Sequence, residues 1–177
     1  MRSAPPWALV FIACSAPASP AHLEAEPPAP LDVRWVGEIE GDGPLVVLLH
    51  GYGAPADDLL PLAEQLRAAL GDDLRVALPA APIDQGHGRA WWPIREGPRP
   101  ADRFDEHPPG LEVARRALAR WLDSMMLGGR LTPARTTIAG FSQGGMLAMD
   151  VGLRWEHRAA GIASLSVAQI ITILKEG

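Results

Sequence analysis

The chain has 177 residues, a length that suits one domain, and its 47% apolar and 21% charged residues are ordinary for a soluble globular protein. The net charge of −5 argues against the basic surface of a nucleic-acid-binding protein, and the single cysteine, Cys14, excludes an internal disulfide. The longest apolar run, Trp7–Cys14, is far shorter than the about 20 residues that a membrane-spanning helix needs. We therefore expect one domain with no nucleic-acid partner and no integral membrane span.

Residues 1–30 form a leader rich in proline and alanine. Arg2, the apolar run behind it and Ala16–Ala18 are arranged as in a weak secretory signal, or a lipoprotein leader with Cys14 as the lipidated residue. The alternative is a disordered extension. The protein is accordingly either exported, as a periplasmic protein or lipoprotein, or cytoplasmic. We expect the folded domain to occupy residues 31–166.

Strand-like and helix-like segments alternate along this domain. Short apolar or β-branched runs predict strands, the first an edge strand and the others largely buried: Val33–Ile39, Leu45–Leu49, Leu74–Leu78, Arg135–Phe141 and Ala160–Leu165. Apolar residues at helical spacing predict three helices. The first runs from a cap at Asp57 or Asp58 to Leu70, the second from Leu111 to a stop at Gly128–Gly129, and the third from Gln143 to about Arg154. In the third helix, Met146 and Met149 are predicted to lie in the core. This order predicts an α/β fold with a mostly parallel sheet flanked by helices. Residues 79–110 form a long loop region between the third predicted strand and the second predicted helix, and a loop of this length is expected to be functional.

The pentapeptide Gly140-Phe141-Ser142-Gln143-Gly144 has the G-x-S-x-G pattern of a nucleophile elbow. It follows a predicted buried strand and opens a predicted helix, which is the context that this motif requires. Ser142 is therefore a candidate nucleophile, and the helix N-terminus behind it can stabilise an oxyanion. The alternative is a glycine-rich turn with an incidental serine.

A second motif, His50-Gly51-Tyr52-Gly53, ends the strand Leu45–Leu49. In folds with a nucleophile elbow, a loop after an earlier strand supplies the other oxyanion donor. The backbone N–H of Tyr52 is our candidate, beside the N–H of Gln143. His50 is either the catalytic base or a brace that holds the loop by hydrogen bonds, and we expect a brace.

Four motifs occur in the order and spacing of one family: residues 50–59, 78–82, 88–93 and 140–146. Together they resemble the phospholipase/carboxylesterase group of α/β-hydrolases, the group of the acyl-protein thioesterases, over residues 33–166. The resemblance implies a serine hydrolase that acts on a small-molecule carboxylic ester or thioester through an acyl-Ser142 intermediate, without a cofactor. By this analogy the backbones of Tyr52 and Gln143 form the oxyanion hole, while Trp91 and Trp92 line the acyl pocket. Core packing is the alternative for the two indoles.

A serine hydrolase also needs a base and an orienting acid, which α/β-hydrolases place after the nucleophile in the chain. The residues after Ser142 offer only four candidates: Asp150, Glu156, His157 and Glu176. Asp150 and His157 are predicted along or beyond the nucleophile's own helix, out of reach of Ser142, while His87 or His107 in the long loop could form a non-standard dyad. The tail, residues 167–177, departs from the family's pattern.

We therefore expect a hydrolase truncated at its C-terminus, with an out-of-frame or foreign tail and an incomplete sheet. The alternative function is a catalytically inactive fragment that at most binds acyl ligands. Nucleotide binding is disfavoured because neither G-x-G-x-x-G nor a P-loop occurs, and no cluster has metal-ligand spacing. The oligomeric state is not predicted.

Overall fold

The computed structural model describes residues 30–94 and 108–165. The leader up to residue 29, the loop segment 95–107 with His107, and the tail after residue 165 lie outside the described residues. The strands are β1 (Val33–Val36), β2 (Leu45–Leu49), β3 (Arg75–Pro79), β4 (Ile83–Asp84), β5 (Arg89–Ala90), β6 (Thr136–Phe141) and β7 (Gly161–Leu165). The helices are α1 (Leu60–Leu70), α2 (Leu111–Leu127) and α3 (Gln143–Arg154), with a short 3₁₀ helix at Pro133–Arg135.

Five strands form one sheet in the order β1-β3-β2-β6-β7. The edge strand β1 runs antiparallel to β3, and every other neighbouring pair is parallel. The register places Leu49, the last residue of β2, beside Gly140 in β6. Because parallel strands end at the same edge of a sheet, the loops after β2 and β6 are neighbours in space.

Successive residues of a strand point to opposite faces, and the core follows this rule. Val47 and Leu49 pack in one buried cluster with residues of α2 and α3, whereas Leu48 packs in a second cluster with residues of α1. The sheet is therefore covered by helices on both faces. This confirms the predicted α/β fold with a mostly parallel sheet flanked by helices.

The predicted start of α1 is wrong. The helix begins at Leu60, and its N-cap residue, Leu59, makes no side-chain cap hydrogen bond. The Asp57 carboxylate instead pairs with Arg34, with 3.1 Å between the nearest nitrogen and oxygen atoms. The preceding residues form a turn, in which the Leu60 N–H donates to the Asp57 carbonyl. The contact with β1 thus engages one of the two carboxylates that the sequence pattern offered for helix capping.

The predicted core positions of Met146 and Met149 are also wrong, since the two residues are 53% and 41% exposed. Helix α3 packs on the sheet through Leu147, Ala148 and Val151, which lie on its other side. Helical periodicity alone does not say which of two apolar stripes faces the sheet.

The long loop region contains structure that the sequence analysis missed. Strands β4 and β5 pair antiparallel as a small hairpin, with Ile83 opposite Ala90. Each strand has two residues, too few for a period-two pattern to be recognised in the sequence. Among the helices of residues 30–94 and 108–165, none is both long and apolar enough to cross a membrane.

Candidate active site

Ser142 occupies the turn between β6 and α3, where the sequence pattern predicted the nucleophile. Its backbone has φ 52° and ψ −113°, and it is the one non-glycine residue with positive φ among the described residues. An L-residue held in such a conformation costs on the order of 1–3 kcal/mol, and strain of this kind is typical of functional sites. The side chain is exposed, so its hydroxyl is accessible at the carboxyl edge of the sheet.

The glycines of the pentapeptide are required by close backbone approach. A Cβ on Gly140 would overlap the carbonyl oxygen of Gly144, the second residue of α3. A Cβ on Gly144 would overlap the carbonyl oxygens of Leu49 and His50 at the end of β2. The first turn of α3 therefore lies directly against the end of β2, which brings Ser142 next to the loop that starts at His50.

This loop, residues 50–54, is held on the β4–β5 hairpin. The Gly53 N–H donates to the Arg89 carbonyl at 2.9 Å, and the Tyr52 hydroxyl donates to Gln85 Oε1 at 3.1 Å. Within the described ranges, the backbone N–H groups of Tyr52 and Gln143 have no hydrogen-bond acceptor. The two predicted oxyanion donors therefore lie on neighbouring loops at the same edge of the sheet, without an acceptor among the described residues.

His50 is a brace, as expected. Its ring is buried, with Nδ1 2.8 Å from the Gly51 carbonyl oxygen, and the Ala81 N–H donates to Nε2 at 3.1 Å. These partners require the neutral tautomer that carries its proton on Nδ1. Burial lowers the pKa of His50 below its usual value, opposed by the hydrogen bond to Gly51. With both nitrogens occupied, the ring is not available to take a proton from Ser142.

Trp91 and Trp92 are only 1% and 2% exposed, and both rings belong to the core cluster beneath α2 and α3. Their position is that of the core-packing alternative, and the acyl-pocket role stays a prediction. Trp91 donates its Nε1–H to the His50 carbonyl at 3.0 Å. The side chain of Gln143, also buried, accepts from the Trp91 N–H at 2.9 Å and donates to the Trp92 carbonyl at 2.8 Å.

The sequence predicted a role for the Gln143 backbone alone, and not these hydrogen bonds of its side chain. A long amide side chain at the first position of a helix, between Ser142 and Gly144, is the one signal that the sequence offers. Its partners lie 51 and 52 residues away, so the sequence could not identify them.

The candidates for the catalytic acid and base lie apart from one another. Asp150 forms ion pairs with Arg154 at 2.8 Å and Arg115 at 3.6 Å, and His157 packs edge-on against Trp155 with 5.2 Å between ring centroids. His87 is exposed on the β4–β5 hairpin. In the part of the chain that the structure describes, no histidine is hydrogen-bonded to the Ser142 hydroxyl.

Glu156, the remaining downstream acid of the described part, directly follows Trp155 and is therefore beyond the end of α3. Glu176 and His107 lie outside the described residues. The structure thus brings together Ser142, Gln143 and Tyr52, but none of the described acids or histidines joins them.

The fold and this site define an α/β-hydrolase: a strained serine lies between a central parallel strand and a helix, beside a loop whose Tyr52 N–H has no acceptor in the described part of the chain. The sequence model of the family Phospholipase/Carboxylesterase matches residues 38–175. The chain belongs to the phospholipase/carboxylesterase family, which indicates a hydrolase of the esterase type with a small-molecule ester substrate. The match includes most of the tail that the sequence analysis set apart; the division into leader, domain and tail stays a prediction.

Solved structures with this fold include esterase PE8, with 26% identity, a TM-score of 0.61 and coverage of 84% of this chain and 85% of that chain. A carboxylesterase from Mesorhizobium loti has 20% identity and a TM-score of 0.56, with coverage of 71% and 56%. SOBER1 from Arabidopsis thaliana has 21% identity and a TM-score of 0.57, with coverage of 68% and 60%. The chain thus matches most of PE8 but under two thirds of the other two proteins.

Proposed function

We propose that the chain is a serine hydrolase of carboxylic esters or thioesters that acts through an acyl-Ser142 intermediate. The observation that carries this proposal is the geometry at the ends of β2 and β6. A strained, exposed serine lies there beside two backbone N–H groups that have no acceptor within the described residues. Proximity of a nucleophile to unengaged donors is the arrangement that acyl transfer requires.

In the proposed reaction, the Ser142 hydroxyl attacks the carbonyl carbon of the substrate and gives its proton to a base. The negative charge that develops on the carbonyl oxygen is stabilised by the N–H groups of Tyr52 and Gln143. Collapse of this tetrahedral species expels the alcohol or thiol, which takes up the proton, and leaves the acyl-Ser142 ester. Attack by water then releases the carboxylic acid and restores the serine.

One observation favours the alternative of an inactive fragment that at most binds acyl ligands. Of the three histidines in the described ranges, His50 is engaged by backbone groups, His157 packs against Trp155, and His87 is not bonded to Ser142. A serine without a base is a weak nucleophile. The two functions therefore differ in whether the chain turns over an ester at all.

The test measures hydrolysis of a p-nitrophenyl ester and of an acyl thioester by the full chain and by Ser142→Ala. We expect turnover in the wild type, its loss in Ser142→Ala, and labelling of Ser142 by a fluorophosphonate. The variants His87→Ala and His107→Ala show whether either loop histidine is the base. Absence of turnover that depends on Ser142 would contradict the proposal and favour the inactive fragment.

A further inference from the structure

The side chain of Gln143 links the start of α3 to the tryptophan segment, Trp91–Trp92. Its carboxamide bonds the backbone of two consecutive residues, accepting from the Trp91 N–H at 2.9 Å and donating to the Trp92 carbonyl at 2.8 Å. The residue is 1% exposed, so water does not compete for these groups. Both ends of the amide are used, and only a group with one donor and one acceptor can satisfy this backbone segment.

The tryptophan segment continues the connection to the loop after β2. Trp91 donates its indole N–H to the His50 carbonyl at 3.0 Å, and its ring lies against the His50 imidazole with 5.6 Å between centroids. The imidazole in turn bonds the Gly51 carbonyl and the Ala81 N–H. A continuous set of buried contacts therefore runs from the start of α3 to the residue that precedes Tyr52.

We propose that Gln143 is a positioning residue: its carboxamide clamps the Trp91–Trp92 backbone, and through the Trp91–His50 contact it sets the separation of the two oxyanion donors. The role deepens, and rests on, the proposed function of the same site. Gln143 contributes its own N–H to the oxyanion, while its side chain holds the Trp91–Trp92 segment. The Trp91 indole in turn bonds the His50 carbonyl, in the loop that carries the Tyr52 N–H. Fixed donors stabilise a developing charge without reorganisation, so the clamp acts on the transition state more than on substrate binding.

The first test is Gln143→Met, which retains side-chain length but removes both hydrogen bonds. We expect kcat, corrected for the folded fraction by near-UV circular dichroism, to fall about 10- to 100-fold, with KM changed by less than about twofold. The matched control is Gln65→Met on α1, which has the same change of chemistry on the other face of the sheet and is expected to leave both constants unchanged.

The second test is Gln143→Glu, which distinguishes hydrogen bonding from shape. A protonated carboxyl can accept from the Trp91 N–H and donate to the Trp92 carbonyl, whereas a carboxylate would repel that carbonyl. Burial favours the protonated form, so the ratio of variant to wild-type kcat should rise as the pH falls from about 8 to about 5. The charged or titratable groups beside this cluster are His50, whose pKa is lowered by burial, and beyond it Asp58 and Arg89.

The outcomes separate the two proposals. An unchanged kcat in Gln143→Met, a loss confined to KM, or a variant-to-wild-type ratio for Gln143→Glu that is flat with pH would overturn the positioning role and leave the serine hydrolase standing. A wild-type chain no more active than Ser142→Ala would overturn the proposed function, and the positioning role with it. A loss in kcat together with recovery of Gln143→Glu at low pH supports both.

Discussion

The backbone conformation at Ser142 predicts that this residue lowers the stability of the folded chain. With φ 52° and ψ −113°, it lies in a region that glycine adopts freely and L-residues avoid. The conformation costs a serine or an alanine on the order of 1–3 kcal/mol. Glycine removes this cost but adds about 0.4–1 kcal/mol of unfolded-state entropy. We therefore expect Ser142→Gly to be more stable than Ser142→Ala by about 1–2 kcal/mol.

The two variants are compared by urea unfolding followed through tryptophan fluorescence, and by thermal unfolding. For a chain of this size the difference corresponds to about 2–8 °C in Tm. Both variants lack the hydroxyl, so neither should hydrolyse an ester. The control is Ala56→Gly, in a turn without positive φ, which should lower stability by about 0.4–1 kcal/mol. If Ser142→Gly is no more stable than Ser142→Ala, the strain argument is refuted.

Three further predictions concern the framework of the site. Burial lowers the pKa of His50 below 6.5, so the unfolded chain protonates this histidine at a higher pH than the folded chain does. The stability that comes from the buried neutral imidazole is therefore complete above about pH 6.5 and declines as the pH falls towards the pKa of the folded state. The free energy of unfolding measured against pH should lose this decline in His50→Gln, and an unchanged profile would contradict the assignment. Gly144→Ala should destabilise by about 3 kcal/mol because its Cβ meets backbone carbonyls. Gly41→Ala, with no positive φ and only a side-chain atom 3.8 Å away, should instead raise the unfolding energy by about 0.4–1 kcal/mol. Arg75→Met removes the hydrogen bonds of the buried guanidinium to carbonyls at the edge of the sheet opposite Ser142. It should lower the free energy of unfolding, measured by chemical denaturation, by about 2–4 kcal/mol and leave kcat/KM per folded molecule unchanged. A selective loss of kcat/KM would show that this edge is coupled to Ser142.

The elements that the sequence predicted well are those with strong local patterns. Strand β2 was predicted with its observed bounds, because five apolar residues in a row between turn signals are typical of a strand buried on both faces. Helix α3 was also predicted with its observed bounds, since glycines and a serine mark its start. The predicted helix cap at Asp57 or Asp58 was wrong: the helix begins at Leu60 without a side-chain cap, and Asp57 pairs with Arg34.

By itself, the sequence determined the α/β class and the place of the G-x-S-x-G turn between a buried strand and a helix. The G-x-S-x-G pattern is a steric requirement within five residues, and it can be recognised without knowledge of any distant contact. The tertiary structure decided that His50 is a brace and that the Gln143 amide holds the Trp91–Trp92 backbone. These contacts join residues 31 to 52 positions apart, and their partners are backbone groups, which every residue carries and no sequence pattern marks.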